Sequence, residues 1–287
     1  KGVDVAKATS AQSGRVFAYQ ENPVLGLPAG TGDAVRVGLQ SFPKVTTDRD
    51  IYIFLGDMGL LTEAVVLQFR TSFEKVSCDM MVLTGLYSGP AAANYYGRIV
   101  RVPATDVDGA SSGEDRDKVI EIMEHKDILG LDPETPYQAV YNGRTYTFSQ
   151  RELLESTEIN TGVFAFKEAA LRTYIRQIDT DNVQGELMIT DLVQIFNQHQ
   201  LIVSAAVADS EEEILAFNVK SVWHQMQTIA RRRAYERLMD TITIADEQDF
   251  FIADEVIEQI LLMDKDVGPL DIVIGKGVHI GPEVQLN

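Results

Sequence analysis

The hydrophobic positions of this chain change their spacing near residue 218. Before it, short apolar runs rich in β-branched and aromatic residues alternate with stretches of helical spacing. The runs are residues 15–19, 51–55, 79–84, 99–102, 162–166 and 201–207, and the helix candidates lie near residues 32–41, 60–74, 167–178 and 188–199. This alternation predicts an α/β fold: a mostly parallel, Rossmann-like sheet with helices on both faces.

Two stretches interrupt the alternation. Residues 103–118 are polar and acidic without a period, which predicts a surface loop. Residues 130–152 carry Pro133 and Pro136 and a short alternation at Tyr146 and Phe148, which indicates an inserted hairpin. Such a hairpin either shapes a neighbouring pocket or is a plain surface feature.

The C-terminal part has different periods. Residues 219–240 keep helical spacing and predict one long helix, in which the Arg231–Arg233 run is more typical of a solvated face than of an anion site. In the last stretch, Ile272, Val278 and Val284 recur every six residues. Six-residue recurrence indicates the start of a hexapeptide β-helix. We therefore expect a first domain over 1–218, a linker helix over 219–240 and β-helix coils over 241–287.

Charge and cysteine content exclude several classes of protein. With 25 Lys and Arg against 43 Asp and Glu, the net charge is −18, which disfavours binding to nucleic acid. One cysteine, Cys78, excludes an intramolecular disulfide and a cysteine-rich zinc site. No apolar run approaches the roughly 18 residues of a membrane span. We expect a cytoplasmic protein that has no membrane partner.

Two short segments carry candidate chemistry. Gly30-Thr31-Gly32 precedes a predicted helix, where glycines let backbone N–H groups approach a phosphate or a base edge; a plain turn explains them equally well. Asp57 follows the apolar run IYIFL and a glycine, the position at a carboxyl strand end where open α/β sheets bind ligands. An Asp there is suited to Mg²⁺ or to capping the next helix.

The order of the motifs is more informative than any single one. The chain contains LGLPAGTGDAV, LGD, YGRIVR, EHKD, INTG and NVQGELMITD, then Asn218, a helix and hexapeptide repeats. In this order they resemble the bacterial N-acetylglucosamine-1-phosphate uridyltransferases, which are sugar-1-phosphate nucleotidyltransferases with a C-terminal left-handed β-helix. The resemblance covers nearly the whole chain.

The resemblance implies a set of site residues. Gln20, Gly30 and Thr31 match positions that bind the nucleotide, and Asp57 and Asn218 match the two protein ligands of Mg²⁺. The positions that match sugar-phosphate contacts are Gly97, Glu124, Asn160 and Thr190. The implied partners are UTP and a sugar-1-phosphate, and the implied reaction forms a UDP-sugar, UDP-N-acetylglucosamine first among them, with release of pyrophosphate. Family members trimerise through the β-helix, so the resemblance also implies a homotrimer.

The sequence departs from the family at several points. The family's G-x-G-T-R triphosphate loop and its downstream lysine do not occur in these residues, so no catalytic residue is assigned. Either at least one βαβ unit precedes this segment, which we expect, or the protein has lost that unit together with catalysis. The later coils that carry the family's acetyltransferase are also absent from it. The departures within the matched motifs are Asp33, Leu55, Gly59 and Met188. Leu55 and Met188 lie near the expected sugar site and leave the sugar open.

Two alternatives therefore stay open beside the uridylyltransferase hypothesis. One is the same transfer chemistry with a different sugar-1-phosphate. The other is a non-catalytic protein of the same fold that binds a sugar nucleotide.

Overall fold

The computed structural model describes residues 30–42, 49–217 and 220–286. The chain divides into two compact units. The first comprises the residues up to Leu55 together with Thr62–Ile214, and the second comprises Gly56–Leu61 together with the residues from Leu215 onwards. Each unit has its own hydrophobic core.

The first unit alternates strands and helices largely as the periodicity predicts. Its helices are α1 Thr31–Gln40, α2 Glu63–Lys75, α3 His125–Gly130, α4 Gln150–Glu155, α5 Glu168–Tyr174 and α6 Leu192–Gln198. Its strands are β1 Asp50–Ile53, β2 Met80–Leu86, β3 Arg98–Arg101, β4 Val119–Met123, β5 Tyr137–Tyr141, β6 Arg144–Phe148, β7 Glu158–Lys167 and β8 Val203–Val207. The run at 15–19 lies outside the described residues.

The central sheet is mixed, and the prediction of a mostly parallel sheet is wrong. Among the described residues it has six strands, with β1 off the path β4-β3-β7-β2-β8. Only β2 and β8 pair in parallel, whereas β7 runs antiparallel to β1, β2 and β3, and β3 runs antiparallel to β4. Apolar runs do not reveal strand direction, because a buried antiparallel strand is as continuously apolar as a parallel one.

Helices cover both faces of this sheet, as predicted. Ile51 and Ile53 on β1 pack into the main core with residues of α1, α5 and α6. Tyr52 points to the opposite face, because side chains alternate along a strand, and its ring contacts Phe69 and Phe73 of α2 edge to face. Five strands, β2, β3, β4, β7 and β8, contribute buried side chains to the main core.

The predicted insertion is a β-hairpin. β5 and β6 pair in antiparallel register from Tyr137–Phe148 to Tyr141–Arg144, and the turn at Asn142 and Gly143 has positive φ angles of 47° and 75°. Tyr146 is fully buried in a second core with residues of β3, β4 and α4. The hairpin therefore packs on the edge of the sheet. The adjoining segment 103–118 is the irregular loop expected, apart from a bridge at Thr105–Ser111 and one 3₁₀ turn.

The described residues of the second unit form two helices and two small sheets. Helix α7, Lys220–Leu238, matches the predicted linker helix and buries Met226, Ile229, Ala234 and Leu238. It is followed by β9 Thr243–Ile244, β10 Phe250–Ile252, α8 Asp254–Val267, β11 Val273–Ile274 and β12 Val278–Ile280. The Arg231 and Arg233 side chains donate to the carbonyl oxygens of Phe250 and Leu60 (both 3.2 Å), consistent with a structural role for the arginine run.

No β-helix is present in the described residues of this unit, which corrects the expected fold. Instead, β9 pairs in parallel with β11, and β10 pairs in parallel with β12. The reason lies in the intervening segment: α8 has apolar residues at helical spacing and buries Val256, Ile257 and Ile260. The six-residue recurrence is confined to residues 272–286. The domain boundaries at 218 and 241 stay predictions.

None of the helices in the described part of the chain combines the length and apolar character that a membrane crossing requires.

Candidate functional site

Three of the predicted sugar-phosphate residues meet at one place in the first unit. Gly97 ends the turn before β3, Asn160 lies in β7 and Glu124 follows β4. The Asn160 N–H donates to the Gly97 carbonyl oxygen at 2.9 Å. A methyl group on Gly97 would lie 3.2 Å from both carboxylate oxygens of Glu124, so that carboxyl group lies directly over Gly97.

An irregularity in the sheet places Asn160. The register between β2 and β7 shifts, so that Leu83 pairs with Val163 and Thr84 with Asn160, and the two residues between them bulge out. The Asn160 Oδ1 accepts the Gly162 N–H at 2.9 Å, and Gly162 has a φ of 78°, which favours glycine. The INTG motif thus forms a β-bulge inside strand β7.

Carboxyl groups near this place are unusually weak acids. Burial raises the pKa of Glu124 to about 7, with a smaller contribution from the charge of Asp127. Burial also raises the pKa of Asp191 to about 7, and the charges of Asp179, Asp127 and Glu124 add to the effect. Perturbed carboxyl groups of this kind cluster at functional sites. Asp127 lies in the EHKD motif and Asp191 lies in the NVQGELMITD motif. In these two motifs the resemblance pointed only to Glu124 and Thr190.

The segment 182–191 packs beside these groups. The Val183 N–H donates to Asp127 Oδ1 at 3.1 Å, and Lys126 Nζ donates to Gln184 Oε1 at 3.1 Å. Thr190 is buried in the 3₁₀ turn Ile189–Asp191, with 5% of its surface exposed. Thr190 directly precedes Asp191, and the charge of Glu124 contributes to the raised pKa of Asp191. Thr190 therefore lies on the Glu124 side of the site.

Gly30 and Thr31 lie against the same segment. The Gly32 N–H donates to the Leu187 carbonyl oxygen at 2.8 Å, and Thr31 Oγ1 accepts the Ile189 N–H at 3.1 Å. Gly30 has a φ of 92°, and any Cβ there would overlap the Leu187 backbone. Residue 30 is therefore a glycine because the Leu187 backbone leaves no room for a side chain. The Thr31 hydroxyl group has a hydrogen-bond partner within the fold.

Asp57 belongs to the second unit and is not at the end of a central strand. Strand β1 ends at Ile53 and pairs only with β7 among the described residues, and Asp57 lies four residues later in a turn. The Phe217 N–H donates to the Asp57 carbonyl oxygen at 3.2 Å. Phe217 directly precedes Asn218, so the two predicted metal-ligand segments adjoin. Asn218 itself, like Gln20, lies outside the described residues.

The donor set is compatible with Mg²⁺ without demonstrating a metal site. Mg²⁺ is bound by one or two protein oxygens and completes its shell with phosphates and water. Asp57 offers a half-buried carboxylate beside the chain segment that leads to Asn218. Over residues 30–42, 49–217 and 220–286, no three His, Cys, Asp or Glu side chains are grouped to hold a metal ion.

Arg98 is a residue whose role the sequence did not reveal. Its side chain is fully buried, and burial lowers its pKa. The guanidinium donates to the carbonyl oxygens of Asn94 (2.8 Å), Leu154 (3.4 Å) and Tyr96. Arg98 thus links the turn that ends at Gly97 to helix α4, which follows the inserted hairpin. The YGRIVR motif contains it, but a surface arginine at a strand start has the same appearance in sequence.

The chain resembles known proteins in sequence over most of its length. No family model matches the chain. The bifunctional protein GlmU of Streptomyces griseus is 31% identical over 218 residues, which cover 76% of this chain. The chain is a distant homologue of bifunctional GlmU proteins. GlmU of Mycobacterium avium is 27% identical over 260 residues, or 90% of this chain, and GlmU of Heliobacterium modesticaldum is 25% identical over 273 residues, or 94%.

The GlmU relatives are much longer than this chain. The matched segments cover 38%, 42% and 50% of the Streptomyces, Mycobacterium and Heliobacterium proteins. The chain therefore spans at most about half the length of these GlmU proteins. Among solved structures, a nucleoside-diphosphate-sugar pyrophosphorylase from Vibrio cholerae gives a TM-score of 0.41 at 15% identity, covering 69% of this chain and 64% of that one.

Proposed function

We propose that the protein transfers a uridylyl group from UTP to a sugar-1-phosphate, with N-acetylglucosamine-1-phosphate as the first candidate, and releases pyrophosphate. The phosphate oxygen of the sugar attacks the α-phosphorus of UTP, and the bond from that phosphorus to the β-phosphate oxygen breaks. Such transfers need positioning and charge stabilisation and little covalent participation by the protein. The homology to GlmU and the order of the motifs support this assignment.

The observation that carries the proposal is the meeting of Gly97, Glu124 and Asn160. These residues are distant in sequence, they come from three different motifs, and the Asn160–Gly97 hydrogen bond and the Glu124 contact bring them together. A backbone turn, a carboxyl group and an amide supply acceptors and donors for sugar hydroxyl groups. We assign them to the sugar, with Thr190 beside them, and we assign Gln20, Gly30 and Thr31 to the nucleotide.

The metal belongs to the same proposal. Asp57 and Asn218 would hold Mg²⁺, which, when bound, neutralises charge that develops on the phosphates. The chain's own residues bind and orient the substrates. The Phe217–Asp57 hydrogen bond supports this pair, because it fixes the segment before Asn218 beside Asp57.

One observation favours a sugar other than N-acetylglucosamine as the second candidate. A methyl group on Gly162 would overlap the Leu55 side chain, so Leu55 covers the bulge that carries Asn160. An apolar side chain at this position cannot hydrogen-bond a substrate polar group. The preferred sugar would then differ from N-acetylglucosamine in the substituent that lies nearest to Leu55.

The proposal is tested by pyrophosphate release from the full-length protein with UTP, Mg²⁺ and a panel of sugar-1-phosphates. We expect release with N-acetylglucosamine-1-phosphate, and release with only another sugar would establish the second candidate. Asn160→Ala should raise KM for the sugar phosphate at least about tenfold, the cost of one lost hydrogen bond to a charged or polar partner. Gln68→Ala, on an exposed face of α2, is the matched control. A folded protein that binds UTP and releases no pyrophosphate with any sugar would refute the proposal.

A further inference from the structure

A cavity of the first unit is lined by none of the residues assigned to the transfer reaction. Its volume is about 900 Å³, within the usual range of about 300–1,000 Å³ for small-molecule sites. Its walls come from β4, from strand β5 of the inserted hairpin, from α6 and from the start of β8. The hairpin, to which no residue of the proposed transfer site belongs, thus forms one side of this cavity.

The wall contains a buried carboxyl group with an unused oxygen. Only 3% of the surface of Glu121 is exposed. Its Oε2 accepts hydrogen bonds from Tyr137 Oη, at 2.9 Å, and from Gln194 Nε2. Its Oε1 is buried and has no hydrogen-bond partner. A buried polar atom without a partner is costly, and in native proteins it calls for an explanation such as a bound water or ion or a functional role.

Most of the remaining polar groups of the wall are neutral. Tyr137 and Tyr141 provide ring surface, and Lys118, which is exposed, is the one lysine or arginine among the residues that line the cavity. Burial raises the pKa of Glu121 to about 7, so this carboxyl group does not carry a full negative charge near neutral pH. The other polar side chains are amides: Gln138, Asn142, Gln194, Asn197, Gln198 and Gln200. An amide can donate and accept, but Asn197 Nδ2 already donates to the carbonyl oxygens of Val119 and Ile120, which leaves this side chain as an acceptor. A single exposed lysine is a poor match for a phosphorylated ligand, which needs a surplus of positive charge or of N–H donors.

From this wall we infer that the cavity binds a neutral saccharide through its hydroxyl groups. Hydroxyl groups donate and accept, which matches the amides, and one of them would donate to Glu121 Oε1. The C–H faces of a sugar ring suit the tyrosine and aliphatic surface that lines the rest of the cavity. The bound molecule would be unphosphorylated, in contrast to the substrates of the transfer reaction. The inference does not rest on that reaction.

Isothermal titration of the full-length protein with glucose, N-acetylglucosamine and cellobiose tests the inference. We expect at least one of the three to bind. Tyr137→Phe and Glu121→Gln should each weaken that binding about tenfold, because each removes or rearranges a hydrogen bond in the wall. Tyr137→Phe keeps the ring, so it serves as the informative variant if Glu121→Gln does not fold.

Asn160→Ala separates this cavity from the transfer site. Binding to the cavity should be unchanged in Asn160→Ala, whereas Tyr137→Phe should leave pyrophosphate release unchanged. Loss of saccharide binding in Asn160→Ala, or undiminished binding in Tyr137→Phe, would place the saccharide elsewhere and overturn the inference. Absence of binding by all three saccharides, or preferential binding of the cationic probe arginine amide, would overturn it as well.

Discussion

The carboxyl group of Glu124 lies so close to Gly97 that a single methyl group there would reach 3.2 Å from both of its oxygens. Contacts that short are tighter than ordinary van der Waals packing, so a larger residue has to displace the carboxyl group. The backbone of Gly97 is also tied to Asn160. Residue 97 is therefore a glycine because a larger side chain would occupy the space of the Glu124 carboxyl group.

We expect Gly97→Ala to impair use of the sugar phosphate while the fold persists. The displaced carboxyl group should raise KM for the sugar-1-phosphate about tenfold, the cost of about one hydrogen bond, with a smaller effect on KM for UTP. Steady-state kinetics of the full-length protein measure both constants. Gly281→Ala is the matched control, because nothing lies within 4 Å of a methyl group at that position. Equal KM values in Gly97→Ala and in the wild type would remove this contact from the substrate site.

The pH dependence of stability should reveal the buried carboxyl groups. Burial raises the pKa of Glu121, Glu124 and Asp191 to about 7, from ordinary values of 4.5 for Glu and 3.8 for Asp. Between those values the folded protein holds protons that the unfolded chain has released, so the free energy of unfolding falls as pH rises through that window. Urea unfolding at about pH 5, 6 and 7.5 measures the slope.

Glu124→Gln should flatten that slope, because the amide does not titrate. Glu114→Gln, which changes an exposed carboxyl group of the loop 103–118, should leave it unchanged. A wild-type stability that rises steadily with pH across this window would contradict the assignment of these raised pKa values.

Arg98 should matter for both stability and substrate use. Its guanidinium fork reaches three carbonyl groups, and a lysine ammonium cannot reproduce the planar geometry. Arg98→Lys should lower the free energy of unfolding by about 1–3 kcal/mol, the cost of leaving a buried carbonyl unpaired. It should also raise KM for the sugar phosphate, since the turn that carries Gly97 is loosened. Arg116→Lys, on an exposed arginine, is the control, and an unchanged KM in Arg98→Lys would limit its role to folding.

The sequence was a good guide to where elements lie and a poor one to how strands pair. Helical spacing placed α7 within one or two residues, and the alternation at Tyr146 and Phe148 placed the hairpin. The predicted strand direction was wrong, because β7 is as apolar as a parallel strand although it runs antiparallel to its neighbours. The six-residue recurrence near the C-terminus indicated coils of a β-helix. Instead, helix α8 lies in the chain between β9 and β10 and the strands with which they pair, β11 and β12.

Sequence motifs pointed to three residues that the structure brings together, although their role in substrate binding stays a prediction. Gly97, Glu124 and Asn160 came from three motifs, and they meet in the structure. Contacts made by residues that look ordinary in sequence were not predictable: the burial of Arg98 and the unpaired oxygen of Glu121 depend on packing from distant segments. Periodicity reports which face of an element is apolar, and it does not report which polar group is enclosed there.

Asp57→Asn tests the proposed metal site. The amide keeps the shape of the side chain and removes its charge, so we expect loss of Mg²⁺-dependent pyrophosphate release with unchanged thermal unfolding. Asn218→Ala should shift the Mg²⁺ titration to higher concentration. Asp271→Asn, which removes an exposed carboxylate from the same unit, controls for the change in net charge. Wild-type turnover in Asp57→Asn would exclude it as a metal ligand.

The Thr31 hydroxyl accepts the Ile189 N–H at 3.1 Å, so Thr31→Val probes how α1 is joined to the segment 182–191. Valine keeps the shape and leaves that N–H without its partner, which should lower the free energy of unfolding by about 1 kcal/mol. If the hydroxyl also binds the nucleotide, as the resemblance implies, KM for UTP should rise in the same variant, whereas KM for the sugar phosphate should stay near its wild-type value. Thr173→Val, at an exposed position on α5, is the control. A loss of stability with an unchanged KM for UTP would assign Thr31 to the fold alone, because packing accounts for stability and only contact with the substrate accounts for a selective change in KM.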